Sequence, residues 1–246
     1  LILVTNDDGI EAGGIRFLAE SLLTLGDVVV VAPAHPMSGM SHAVTINQTL
    51  QMEKRPFTVD GVLEAWQTSG TPVDCVKLAI YEILGRKPDL LVSGINHGSN
   101  ASINVIYSGT MSAAVEGAIE GIPSIGFSLL NHDPEADFSA CGPAVKKLAK
   151  EVLDRGLPVG SCLNVNFPNL PLDEIQGMRI CRQSAGYWED AFDKRVSPGG
   201  SAYFWMTGSF INPDQGEDTD EWALRNGFVS VVPTQFDMTA HQAIAT

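Results

Sequence analysis

Residues Leu1 to Ile10 read LILVTNDDGI. A short apolar run containing the β-branched Ile2 and Val4 passes directly into Asn6-Asp7-Asp8-Gly9, a turn composition. In an open α/β sheet, ligands bind just beyond the carboxyl ends of the strands. The stretch therefore reads as a strand that delivers two adjacent carboxylates to a ligand edge. Ionised carboxylates side by side repel, and a folded chain keeps such a pair when something cationic sits between them. A hard divalent cation is the simplest partner, because it takes carboxylate oxygens. Taken alone, the same four residues also read as a solvated, Asp-rich turn, so the choice depends on the remainder of the chain.

Working outward, strands and helices alternate as far as about residue 155. Ile15, Leu18, Leu22 and Leu25 share one helical face over Gly14 to Leu25, with Gly26 as the stop. Val28 to Ala32 (VVVVA) is a continuous apolar strand ended by Pro33, as expected of a parallel strand covered on both faces. Two or more strands are expected between Val44 and Gln67. Thr71-Pro72-Val73-Asp74 is a helix start, with Thr71 as N-cap, Pro72 in the first helical position and Asp74 at the positive dipole end. That helix is expected to run to about Leu84. Pro88 to Ser93 (PDLLVS) is the next strand, followed by a glycine- and asparagine-rich loop and a helix from about Gly109 to Glu120. Pro123 to Leu129 is a further strand and Cys141 to Leu153 a further helix. This alternation predicts an α/β fold with a doubly wound, mostly parallel sheet. Leu163 to Phe167 and Met178 to Arg182 are expected to add strands at one edge.

The texture changes after Arg182. Residues 183–227 carry Tyr187, Trp188, Phe192, Tyr203, Phe204, Trp205, Phe210 and Trp222 with little helical periodicity. Val196 to Phe210 reads as a hairpin with Pro198-Gly199-Gly200 at its tip. A lone hairpin is marginal in water, so these aromatics are expected to bury against another subunit. The expected organisation is a core over residues 1–182, an extended oligomerisation segment over 183–227, and a return strand and tail over 228–246, within one domain overall.

Composition narrows the function. Twenty-nine acids against fifteen bases give a formal charge of −14 over 246 residues. Such a surface disfavours nucleic-acid duplexes and anionic membranes, whose phosphates require clustered Lys and Arg. Lys146, Lys147 and Lys150 read as the wet face of a helix. No apolar run approaches bilayer length, and no basic-then-apolar leader is visible. Cys75, Cys141, Cys162 and Cys181 are widely spaced with no CxxC pair, which fits buried, reduced thiols and a cytoplasmic protein.

Three further stretches follow strand ends and would reach the Asp7–Asp8 edge: Met37-Ser38-Gly39, Ser93 to Asn100 (SGINHGSN), and Ser108-Gly109-Thr110. Neutral oxygens from Ser and Asn can complete a coordination shell begun by two carboxylates, and magnesium and manganese accept such all-oxygen shells. Ser108 to Thr110 opens a helix and offers N–H groups, hydroxyls and the positive dipole end, a combination that holds phosphate. The same tripeptide at Ser69 to Thr71 reads as a plain helix cap, and that reading also stands for the second copy. His97 is either a proton donor to a leaving oxygen or a polar loop residue. No Lys or Arg lies in these loops, so a phosphate dianion would be neutralised by metal and backbone dipoles. The chain has no GxSxG elbow, no HExxH and no Walker lysine loop.

Taken together, VTNDDGI (Val4 to Ile10), VVAP (Val30 to Pro33), SGMSHAVT (Ser38 to Thr45), SGTPVDCVKLA (Ser69 to Ala79), SGINHGSN (Ser93 to Asn100), SGTMSAAVEGA (Ser108 to Ala118) and FVSVVPT (Phe228 to Thr234) resemble the SurE survival-protein family. The motifs run in family order over essentially the whole chain. The resemblance implies a metal-dependent nucleotidase that hydrolyses nucleoside 5′-monophosphates, with 3′-nucleotidase and short-chain polyphosphate activity as further possibilities. It implies one Mg2+ or Mn2+ per subunit held by Asp7, Asp8, Ser38 and Asn96, with Asp7 and Asp8 at the chemical step. Asn100, Ser108, Gly109 and Thr110 match the phosphate site. It also implies a Rossmann-like core whose C-terminal β-hairpin extension is exchanged between subunits of a homodimer or homotetramer. Met37 departs from the polar residue common before Ser-Gly in the family, and His97 stands where the family varies. A receiver domain would need a third Asp and a late Lys, and a dehalogenase-type phosphatase would show Asp-x-Asp. A silent nucleotide-binding protein remains the alternative that a phosphate-release assay separates.

Overall fold

A computed structural model describes residues 1–244. The opening run becomes β1 (Ile2–Thr5), buried along its whole length. Helix α1 (Gly13–Leu22) lays Ile15, Leu18, Ala19 and Leu22 against the sheet, an amphipathic stripe at helical spacing. It ends a turn earlier than the apolar spacing through Leu25 suggests, and the Leu25 N–H closes the turn onto the Leu22 carbonyl at 2.9 Å. Strand β2 (Val28–Pro33) is fully buried and pairs parallel with β1, Ile2 opposite Val28. Strands β3 (Met52–Lys54) and β4 (Glu64–Thr68) follow.

Helix α2 (Pro72–Leu78) starts as its sequence dictates. Thr71 Oγ1 accepts from the Asp74 N–H and the Asp74 carboxylate accepts from the Thr71 N–H, a reciprocal cap. A π-helical turn, Ala79–Ile83, continues it. Then come β5 (Leu90–His97), α3 (Asn104–Tyr107), α4 (Gly109–Ile119), β6 (Ser124–Leu129), α5 (Gly142–Arg155), β7 (Ser161–Phe167) and β8 (Met178–Ile180). The chain closes through β9 (Tyr187–Val196), β10 (Ala202–Ile211), α6 (Asp220–Arg225) and β11 (Val229–Gln235).

The main sheet has nine strands in the order β3-β4-β2-β1-β5-β6-β7-β11-β8. The strands from β4 to β7 run parallel to one another, whereas β3 and β11 are antiparallel to β4 and β7. One apolar layer joins Ile15, Leu18 and Leu22 of α1 to Val145 and Ala149 of α5; the other joins Val76 and Ala79 to Ala113 of α4. The sheet is therefore covered on both faces, a doubly wound arrangement. The chain winds from β1 outward to β2 and β4, then returns to β5 on the other side of β1. That reversal places the topological switch point, where such sheets bind ligands, between β1 and β5.

Three expectations are corrected. Strand β5 does not stop at Ser93; after a register irregularity between Ser93 and Asn96 it pairs Asn96 with Ser128 and His97 with Leu129. Asn96 and His97 thus sit on a strand end, where β6 supplies their pairing partners. The Leu163–Phe167 segment is not at an edge: β7 lies between β6 and β11, leaving β8 as the edge strand. The hairpin begins earlier than Val196, since its first arm is already formed from Tyr187, which pairs with Ile211. Its turn does fall at residues 197–201, where the Ser197 N–H donates to the Ser201 carbonyl at 2.9 Å. The two arms form a separate sheet, with Phe192, Phe204 and Trp205 mostly exposed. All four cysteines are free and buried. Among the described residues, no helix is long and apolar enough to cross a membrane.

Candidate active site

Where β1 and β5 part, their outgoing loops enclose a cavity of about 180 Å3 whose wall includes Asp7, Ser38, Asn96, His97, Asn100 and Ser108. A larger hollow of about 610 Å3 opens beside it along Met37, Gln51 and Gln67, but it lacks the paired aspartates. No Lys or Arg among the described residues lines the smaller cavity. Among the described residues, no group of three or more His, Cys, Asp or Glu could hold a metal ion. Any cation here must share two carboxylates with neutral oxygens.

The turn after β1 is pinned by its own amide. Asn6 Nδ2 donates to the Gly9 carbonyl at 2.9 Å, while Asn6 Oδ1 is buried with no hydrogen-bond partner among the described residues. Asp7 is 3% exposed. Its Oδ1 accepts from the hydroxyl of Thr110, and the Thr110 N–H also favours its charge. Helix α4 thus turns its positive end toward Asp7. Gly109 makes this approach possible, because a Cβ there would stand 2.8 Å from the Asp7 Cβ. Burial first, and the Asp8 charge second, push the Asp7 carboxyl up to about 6 in spite of Thr110. Asp8 is half-buried and its side chain is not on the cavity wall. Its Oδ2 accepts from the His97 N–H at 3.3 Å, and burial raises its pKa as well.

The second stretch reaches the site through the backbone: the Met37 N–H donates to the Asp7 carbonyl at 2.7 Å, which brings Ser38 to the wall. Ser38 has no hydrogen-bond partner among the described residues, and Asn96 uses its Nδ2 on the Gly98 carbonyl at 2.9 Å. The Ser38 hydroxyl and Asn96 Oδ1 are thereby left for a ligand. Ser108 caps α4 by accepting from the Met111 N–H at 3.0 Å. His97 packs edge-on against Phe138, with its Nδ1 buried and unpartnered.

A model of the family described as "Survival protein SurE" matches residues 2–190. A "5′-nucleotidase SurE" of Flavobacterium psychrophilum is 62% identical over 99% of this chain and 95% of its own length. One from Cytophaga hutchinsonii is 58% identical over 99% and 94%. The solved structure of "Sure Protein from Aquifex aeolicus" superposes with a TM-score of 0.84 at 39% identity, covering 99% of this chain and 96% of that one. The chain belongs to the SurE family.

In this SurE chain, Asp7, Ser38, Asn96, Asn100 and Ser108 converge on one cavity, Gly109 and Thr110 back it by packing on and bonding Asp7, and Asp8 flanks it. Sequence reasoning missed the residues that hold Asn100. The Asn100 N–H donates to Asn166 Oδ1 at 2.8 Å and Asn100 Nδ2 to Ser128 Oγ at 2.7 Å. Asn164 Nδ2 donates to the Asn100 carbonyl and Asn166 Nδ2 to Asn164 Oδ1, each at 2.8 Å. All four residues are buried. A signal was present: Asn164 and Asn166 alternate with Val165 in an apolar strand, so both point to one face. Buried amides on one face of a strand require partners there.

Proposed function

We propose that this SurE chain hydrolyses nucleoside monophosphates to nucleoside and inorganic phosphate, using one divalent cation, Mg2+ or Mn2+, at the switch-point cavity. The observation that carries the reading is Asp7, a carboxylate buried beside Asp8 on the cavity wall with the Thr110 hydroxyl as its side-chain partner, so that burial first and Asp8 second raise its pKa. A cation is what that donor set lacks, and the unengaged oxygens of Ser38 and Asn96 fit an all-oxygen shell. Asp7, Asp8, Ser38 and Asn96 are the residues we assign to hold it. When bound, the ion supplies charge neutralisation for a phosphate dianion and makes a water molecule more acidic.

The chain's own residues do the rest. Asn100, fixed by Asn164, Asn166 and Ser128, orients a phosphate oxygen, and Ser108 with the first N–H groups of α4 supports the charge that builds on the others. Asp7, on the cavity wall with Asp8 flanking it, aligns the attacking water and receives its proton. Phe138 packs edge-on against the His97 ring and holds that residue in the cavity wall. Family relatives named 5′-nucleotidase make the 5′-phosphate the first substrate to test; 3′-phosphates and short polyphosphates follow from the same phosphate-centred contacts.

We assign residues 1–182 to catalysis, 183–227 to assembly of a homodimer or homotetramer by exchange of the β9–β10 hairpin, and 228–246 to the return strand and tail, residues 245–246 of which lie outside the described residues. Exposed aromatics on a two-stranded sheet that pairs with no further strand among the described residues support the assembly role. A cytoplasmic location is in keeping with four free thiols.

The test is phosphate release from AMP and GMP with Mg2+ or Mn2+. The expected result is activity that EDTA abolishes and that Asp8→Asn removes without unfolding the protein. Full activity in EDTA, or in that variant, overturns the proposal.

A further inference from the structure

We propose that His42, anchored by the buried carboxylate of Glu116, is a positioning residue that sets the affinity of the site for its cation by fixing the Ser38 loop against helix α4. The inference rests on the assignment of Ser38 as a cation ligand.

Residues 34–51 connect β2 to β3 without regular structure, and such long connections in compact domains are mostly functional. Ser38 rides on this loop, and nothing in its own side chain holds it in place. The loop is instead fastened on either side of Ser38. Before it, the Met37 N–H reaches Asp7. After it, the Ser41 hydroxyl donates to the Ile106 carbonyl at 2.7 Å and the Ser41 N–H to the Tyr107 carbonyl at 3.2 Å. Ser41 has φ +54°, a left-handed conformation that a non-glycine residue keeps only where its surroundings enforce it. The next residue is His42, whose Nε2 stands 2.8 Å from Glu116 Oε2.

Glu116 lies on α4, seven residues beyond Gly109 and so on nearly the same face of the helix, two turns on. It is 2% exposed. Its other oxygen, Oε1, is bonded by Lys77 of α2. Burial works against the Glu116 charge, but the hydrogen bonds from His42 and Lys77 outweigh it and hold the carboxyl below its usual range. Lys77 already neutralises the charge, so the bond to His42 does something further. It ties a half-exposed loop residue to the helix whose first turn packs on Asp7. Ser38 and Asp7 then share one rigid reference, α4. Mg2+ and Mn2+ tolerate little error in the placement of their oxygens, and groups that orient ligands from behind typically change metal affinity by ~10–100-fold when removed.

The experiment titrates Mn2+ into the metal-free full chain, following free Mn2+ by electron paramagnetic resonance, for the parent protein and for Ser38→Ala, His42→Ala and His42→Gln. The glutamine can place its own Nε2 on Glu116. The expected result is Mn2+ binding weakened roughly tenfold in His42→Ala and largely restored in His42→Gln. At saturating Mn2+ the nucleotide KM of His42→Ala is expected to match the parent, which a general loss of structure would not give. Parent-like Mn2+ binding by His42→Ala, with Ser38→Ala weakened, overturns the positioning role and leaves the site assignment standing. Equal weakening in the alanine and glutamine variants also overturns it. Parent-like binding by Ser38→Ala removes the site assignment itself.

Discussion

Two buried aspartates, Asp7 and Asp220, differ in how fully the protein pairs them. Asp220, 0% exposed at the start of α6, is saturated by the chain. Its Oδ2 accepts from the Ser102 N–H at 2.8 Å, and its Oδ1 accepts from the N–H groups of Ser184 at 2.9 Å and Glu221 at 2.8 Å. It thereby joins the loop after β5, the root of the hairpin and α6. Asp7, 3% exposed, is supported outside its own residue only by Thr110 among the described residues, and Asp8 opposes it. Equal burial with unequal pairing makes Asp220 an anchor of the fold and supports the ligand role we propose for Asp7. A buried carboxylate without full pairing is a cost to the fold that function must justify.

The largest expected effect follows from removing the Asp7 charge. Asp7→Asn should lower metal-dependent phosphate release more than ~100-fold, beyond the usual loss for groups behind a metal ligand. The same variant should be more stable than the parent without metal, because it no longer buries a charge. A pKa raised from 3.8 to about 6 corresponds to roughly 3 kcal/mol at neutral pH. Phosphate release and metal-free denaturant melts check the two halves together.

Asp220→Ala should do the reverse. It strands three buried N–H groups and should cost about 3 kcal/mol or more of stability, while the folded fraction keeps its Mn2+ affinity. Urea midpoints and Mn2+ titration at low temperature separate these outcomes. If Asp220→Ala lost Mn2+ binding without losing stability, the contrast between the two residues would fail.

The pH response sharpens it. The folded Asp7 pKa lies above its unfolded value, so the native state binds more protons between about pH 4 and pH 6. Stability of the metal-free protein should therefore fall as pH rises through that window and level off above it. Mn2+ affinity should rise through about pH 6 as the proton leaves. The smallest effect is that of Thr110→Val. Because the Thr110 hydroxyl lowers the Asp7 pKa, its loss should shift the rise in Mn2+ affinity to higher pH, by roughly one unit or less.

Much of this was legible because the chemistry is local. The apolar runs at Ile2 and Val28, the Thr71–Asp74 cap and the Asn6–Gly9 turn each carry their own signal within a few residues. The two Ser-Gly-Thr turns show where local reading stops. Both cap helices, through Thr71 in one and Ser108 in the other. What differs is the far side: Thr71 meets Asp74, which also binds Thr45, and so closes on itself, whereas Thr110 meets Asp7 across the switch point. Only the strand order makes that meeting. The same holds for Asn164 and Asn166, whose target, Asn100, lies over sixty residues away in the chain. Strand β5 runs past Gly94 where it pairs with β6, a strand that begins more than twenty residues further along the chain.

The most direct measurement is the thermal unfolding of the parent and Asp7→Asn at pH 7.5, each with and without Mn2+. The account predicts that the parent gains stability on adding Mn2+, by about 2.7 kcal/mol at a hundredfold excess over Kd. It predicts that metal-free Asp7→Asn melts above the metal-free parent and gains nothing from the ion. A variant that melts lower than the metal-free parent, or that Mn2+ stabilises as much as the parent, would contradict it.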